Sequence, residues 1–106
     1  MTDIILKKTK LGRELTVKGH SGEDMTKAGS VVCAAISTLT QTIAQNLYEY
    51  EDEGEVDIID ITIKSGNTVL SYITDNENVN FLVDRICKGF WLVSDCFPDR
   101  VTFDVI

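Results

Sequence analysis

The chain has one proline, one histidine and no pair of cysteines at CxxC spacing, and each scarcity excludes a class of protein. With a single proline, 43% hydrophobic and 25% charged residues, the composition is that of a folded globular chain rather than a disordered one, and no shift in it marks a linker. The three cysteines, Cys33, Cys87 and Cys96, are odd in number and far apart, which argues against both a disulfide framework and a structural zinc site. With His20 as the lone histidine, a metal site would need carboxylates in an arrangement the sequence does not display, so neither metal nor cofactor is expected. No stretch approaches the roughly 18 to 20 apolar residues that span a bilayer. The N-terminal MTDIILKKTK also lacks the basic-then-apolar order of a signal peptide, so a cytoplasmic protein with reduced thiols is expected.

Cations are scarce as well. Ten Lys and Arg stand against 17 Asp and Glu, a formal net charge of -7. That balance disfavours direct binding to nucleic acid or to an anionic membrane, both of which need clustered positive charge, and leaves a basic or neutral partner easier to accommodate. The densest acidic run, Glu49, Glu51, Asp52, Glu53, Glu55 and Asp57, reads as a solvated loop that keeps the protein soluble.

A length of 106 residues predicts one domain, 1–106, with a real core. Residues 3–8 and 14–19 alternate as two short strands joined around Leu11-Gly12-Arg13. From Ser30 to about Tyr50 the period becomes helical, with Val32, Ile36, Leu39, Ile43 and Leu47 on one stripe. Asp57 to Lys64 alternates again, placing Ile59, Ile61 and Ile63 on one face, and Ser65-Gly66-Asn67 turns the chain into a strand over 68–73. Asp75 or Asn76 caps a second helix running to about Ser94, with Gly89 an awkward residue in its middle, and Arg100 to Asp104 forms a last strand. The order is ββαββαβ. Two amphipathic helices need one apolar surface, so the expected class is α+β, a mixed five-stranded sheet with both helices packed on one face.

The chemistry concentrates in GHSGEDMTKAGSVVCAAIS, residues 19–37. With Ser30 as the N-cap, Cys33 becomes the third residue of the first helix, where unpaired N–H groups favour a thiolate and could also hold an oxyanion. The stretch from Ser21 to Gly29 is polar and bounded by glycines, and as a loop it can fold the end of the second strand back over the helix start, bringing His20 toward Cys33. A base beside an activated thiol is the minimum for nucleophilic cysteine catalysis. The residues alone equally admit a small apolar cysteine and an idle surface histidine, which are the commoner fates of such residues. Cys87 and Cys96 have no histidine near them in sequence and read as structural.

As a string, Gly19-His20 and Val31 to Ser37 resemble the signature of the bacterial ribosomal-processing cysteine proteases, the Prp family. The resemblance implies His20 as general base and Cys33 as nucleophile of a peptidase acting through a thioester. It also implies a large-subunit ribosomal protein precursor as substrate, cut at its N-terminal extension, and a homodimer. Ser30 stands where the family pattern has an aspartate. If that aspartate caps the helix, serine is nearly equivalent; if it orients the imidazole or holds it protonated, the chain either lacks a contributor and is slow or uses Asp24 of the loop instead. The alternative of another class is a ribosome-assembly or protein-binding module with a decayed dyad. A thiol-redox protein is disfavoured because no resolving cysteine stands near Cys33.

Overall fold

A computed structural model describes residues 1–20 and 27–106. The elements run β1 (Thr2–Lys8), β2 (Gly12–Gly19), α1 (Lys27–Asp52), β3 (Asp57–Lys64), β4 (Asn67–Ile73), α2 (Glu77–Cys96) and β5 (Val101–Val105). The five strands form one mixed sheet in the order β3-β4-β2-β1-β5, antiparallel except for the parallel β1–β5 pair. The expected ββαββαβ fold is therefore the observed one.

Alternation decides which side of the sheet the helices cover. Leu6, Leu15, Leu70 and Ile61 lie abreast on β1, β2, β4 and β3, and the next row runs Phe103, Ile4, Val17, Thr68, Ile63. Onto this face pack Val32, Ile36, Ile43, Ala44 and Leu47 of α1 and Val79, Val83, Cys87 and Phe90 of α2, in one continuous core. Phe90 and Trp91 both meet the Phe103 ring, at 5.6 and 4.7 Å between centroids, fastening α2 to β5. Gly89 has a packing reason: a Cβ there would come 2.6 Å from Leu39 Cδ2, so the glycine admits the α1 side chain and lets the helices approach.

Three local expectations are corrected. The first hairpin turns at Thr9 to Leu11, while Gly12 and Arg13 already belong to β2. On β3 the register jumps between Ile58 and Asp60, a bulge that leaves Ile59 62% exposed and turns Ile58 inward with Ile61. Period-2 reasoning cannot anticipate an inserted residue. The acidic run is a loop only in part, since Glu49, Glu51 and Asp52 lie in the last turn of α1 and Asp57 opens β3, leaving Glu53 and Glu55 in the connection between them. At the head of α2, Asn76 is the cap, its side chain accepting from Asn78 N at 3.0 Å.

At the N-terminal end of β2, the Arg13 Nε and Nη2 donate to the two carboxylate oxygens of Asp84 at 2.7 and 2.9 Å, tying the sheet to α2. Nearby, the buried Tyr72 hydroxyl donates to Asn80 Oδ1 at 2.8 Å. Burial pushes the Asp84 carboxyl up, but the Arg13 hydrogen bond and charge, with Lys8 behind them, outweigh it and hold the pKa below the ordinary carboxylate value. A carboxyl depressed by folding stabilises above its unfolded pKa and loses that contribution as pH falls through the folded one. Asp84→Asn should therefore cost about 1.5–3 kcal/mol at neutral pH by urea denaturation. The difference from wild type should vanish in acid.

Candidate active site

α1 is already helical at Lys27, the first described residue of its segment, one turn earlier than its hydrophobic stripe suggests. The stretch read as a loop from Ser21 to Gly29 is helical from Lys27 onward; its remaining residues, 21–26, including Asp24, lie outside the described residues. Ser30 is then an interior residue and not the N-cap, and Cys33 is the seventh residue of the helix instead of the third. The unpaired N–H groups belong to the opening turn, and the influence of a helix terminus fades within that turn. Cys33 is beyond its reach, so neither the thiolate stabilisation nor the oxyanion donors expected from the helix start are supplied by it.

Cys33 is exposed at the edge of the apolar stripe, as its helical position predicts. Ser30 stands one turn before it and Ser37 one turn after, on the same side of α1. Opposite this side, β2 delivers His20. Gly19 N donates to Gly66 O at 3.1 Å, continuing the β2–β4 ladder into the β3–β4 turn, and the α-amino group of Met1 donates to His20 O at 3.0 Å. The imidazole then lies over Gly66, whose φ is +74° and where a Cβ would fall 2.7 Å from His20 Cε1. Only glycine meets both demands.

His20 and Cys33 face one cleft of about 380 Å³ between the first half of α1 and the β2–β4–β3 end of the sheet. Val17 and Thr68 line its floor, Ile63 and Lys64 the β3 side, and Ile36, Thr40 and Gln41 the helix side. The exposure of Ile63, 40%, follows from its inward direction at a place where no helix covers it. The two residues singled out from sequence thus meet in a cavity. Gly66 as the imidazole's seat was not foreseen; the sequence signals it only as a turn glycine. Thr40, Thr68 and Ile63 sit on regular apolar or alternating patterns with nothing to mark them as cleft residues.

The other thiols differ. Cys87 is 1% exposed, and burial together with the Asp84 carboxylate pushes its pKa up to about 12. Cys96 is exposed at the end of α2 and does not line the cleft. All three are free thiols, and among the described residues no group of three or more metal-ligating side chains occurs. No described helix is long and apolar enough to cross a membrane.

An exposed thiol and an imidazole thus line one groove on an α+β sheet. The model of the family described as cysteine protease Prp matches residues 1–102, and the chain belongs to that family of cysteine proteases. Among solved structures, the essential ribosomal processing protease Prp from S. aureus, in complex with a covalently linked product peptide, is similar at 12% identity and TM-score 0.74, with 100% of both chains covered. SMU.848 from Streptococcus mutans is similar at 20% identity and TM-score 0.72, covering 100% of this chain and 94% of that one. The S. aureus protease with a substrate peptide is similar at 8% identity and TM-score 0.64, again over 100% of both chains. At these identities the likeness is one of fold. No curated protein sequence matches the chain.

Because His20 is the sole histidine, its ring protons give one isolated pair of NMR signals. Gly66→Ala should shift both, because the added methyl displaces the imidazole. Unmoved imidazole signals would refute the seating of His20 on Gly66.

Proposed function

We propose that the chain is a cysteine endopeptidase that removes the N-terminal extension of a large-subunit ribosomal protein, with Cys33 as nucleophile and His20 as general base. The observation that carries this reading is the shared cleft, which brings the only imidazole to the same groove as an exposed thiol. Family membership supports it, as do the peptide complexes of the S. aureus protease. The acidic surface suits a cationic substrate. The enzyme acts in the cytoplasm as one domain, residues 1–106, paired into a homodimer, for which Phe81 and Leu92, both exposed on α2, offer apolar surface.

In the proposed reaction the Cys33 proton passes to His20 as Sγ attacks the scissile carbonyl carbon, forming a C–S bond and a tetrahedral oxyanion. Collapse breaks the C–N bond while the imidazolium protonates the departing amine, leaving a thioester. Water, deprotonated by His20, attacks the thioester, the C–S bond breaks, and the thiol is restored. His20 must supply the thiol's activation, because the helix terminus lies too far from Cys33 to do so.

Incubation of the ribosomal precursor with purified protein, read by mass spectrometry, tests the reading. Wild type should make one defined N-terminal cut, and Cys33→Ser and His20→Ala should each abolish it while Cys87→Ser, if folded, does not. Cys33 should also be alkylated faster than Cys96, and Cys87 only on unfolding. Binding of the precursor without a cut by wild type would favour the non-catalytic module.

The position of Ser30 within the helix generates a second expectation. One turn from Cys33 on the same side, an aspartate here would act beside the thiol and imidazole and not as a cap. Ser30→Asp should raise kcat/KM and displace the pH–rate profile, since a nearby carboxylate favours imidazolium. An unchanged pH–rate profile would show that position 30 does not act on the imidazole.

A further inference from the structure

The three threonines of α1 do not use their hydroxyls alike. Thr38 donates to Ala34 O at 2.8 Å and Thr42 to Thr38 O at 2.7 Å, the bond to the preceding turn that helical threonines commonly make. Thr40, between them, is 3% exposed, and its Oγ1 is the one fully buried side-chain oxygen among the described residues with no hydrogen-bond partner. A buried hydroxyl without a partner is destabilising, and where one persists it calls for a partner that arrives later, an ordered water or a functional strain. Thr40 lines the cleft that holds His20 and Cys33. Rotation of χ1 between the two rotamers open to a helical threonine redirects Oγ1 at little cost.

The surroundings limit what that partner is. The helix side of the cleft near Thr40 is Ile36, Ser37 and Gln41, and the floor is Val17 and Thr68, none of them charged. The one lysine of the cleft, Lys64, is on its β3 side, so a cationic substrate group would find no compensating charge, whereas a neutral donor or acceptor would satisfy the hydroxyl. Thr40 is seven residues along the helix from Cys33, about 10 Å at the α-helical rise. An extended peptide advances about 3.3 Å per residue. For a peptide laid along α1, the side chain that reaches Thr40 is the third from the bond under attack.

Resting on Cys33 as the nucleophile, we infer that Thr40 is a specificity-determining residue whose hydroxyl selects a neutral hydrogen-bonding side chain, Asn, Gln, Ser or Thr, three residues from the scissile bond. The pocket is the far end of the same cleft. An apolar side chain there leaves the hydroxyl unpaired and a cationic one is left uncompensated.

Thr40→Val keeps the shape and removes the hydroxyl; Thr40→Ser keeps the hydroxyl. A positional-scanning library of octapeptides is digested by each protein and the products are sequenced by mass spectrometry. Binding of the same peptides is measured on the Cys33→Ser background, and Tm is measured for every variant. Wild type should prefer the polar set over Leu and Val by about tenfold at one position, third from the cut, with Thr40→Ser retaining the preference and Thr40→Val losing it. Loss of an unsatisfied hydroxyl should also raise Tm by about 4 °C or more in Thr40→Val. A lowered Tm, a preference that survives Thr40→Val, or an even loss at all positions would overturn the inference. Cleavage by wild type without selection through Thr40 defeats the pocket and leaves the protease reading intact. Selection through Thr40 in binding, without cleavage by Cys33, supports the pocket and defeats the reading. Neither binding nor cleavage defeats both.

Discussion

The pairing of β2 with β4 governs both walls of the cleft. Its register sets Val17 against Thr68 and Lys18 against Asn67, and the bond from Gly19 to Gly66 carries the ladder one step further, to the point where β2 ends and His20 begins. A slip of one residue would turn Leu15 and Val17 away from the core and His20 away from α1. That register is secured at both ends. The Lys18 ammonium donates to Asn67 across the strands near the cleft, and the Arg13–Asp84 pair ties the other end of β2 to α2. The position of the imidazole is thus a property of the sheet, determined before any local interaction of the ring.

The thiol reaches the same place by an independent route. α1 is positioned by the burial of Val32, Ile36, Ile43 and Leu47 against the sheet and by the insertion of Leu39 into the space left by Gly89 of α2. Cys33 lies beside that buried stripe, and the packing that stabilises the fold also points the sulfur into the groove. Because its place is two turns inside the helix, the backbone contributes rigidity to the thiol more than charge.

Much of this is legible in the residues. Strict alternation and the 3.6-residue stripe located every strand and both helices, because each pattern is the direct imprint of one buried face. His20 and Cys33 stood out as a string resembling a known family, and the fold sets both in the lining of one cleft. What could not be read were the features that depend on non-local geometry or on a single inserted residue. The start of α1 was missed because Lys27 and Ala28 carry no part of the apolar stripe, so nothing distinguishes them from loop. The bulge at Ile59 broke an alternation that looked regular. Gly66 and Thr40 acquire their significance from what approaches them in space, and neither turn chemistry nor helical period encodes that.

The bulge itself bears on how the molecule meets unfolded chains. β3 is an outer strand of the sheet, with a row of main-chain groups facing outward that could accept another strand. A peptidase spends its working life among extended polypeptides, the very species such an edge would capture. By setting Ile59 out of step, the irregularity breaks the template partway along the strand and twists it. Capture along that margin would be idle, and its interruption leaves the outer edge of β3 a poor template for a passing chain.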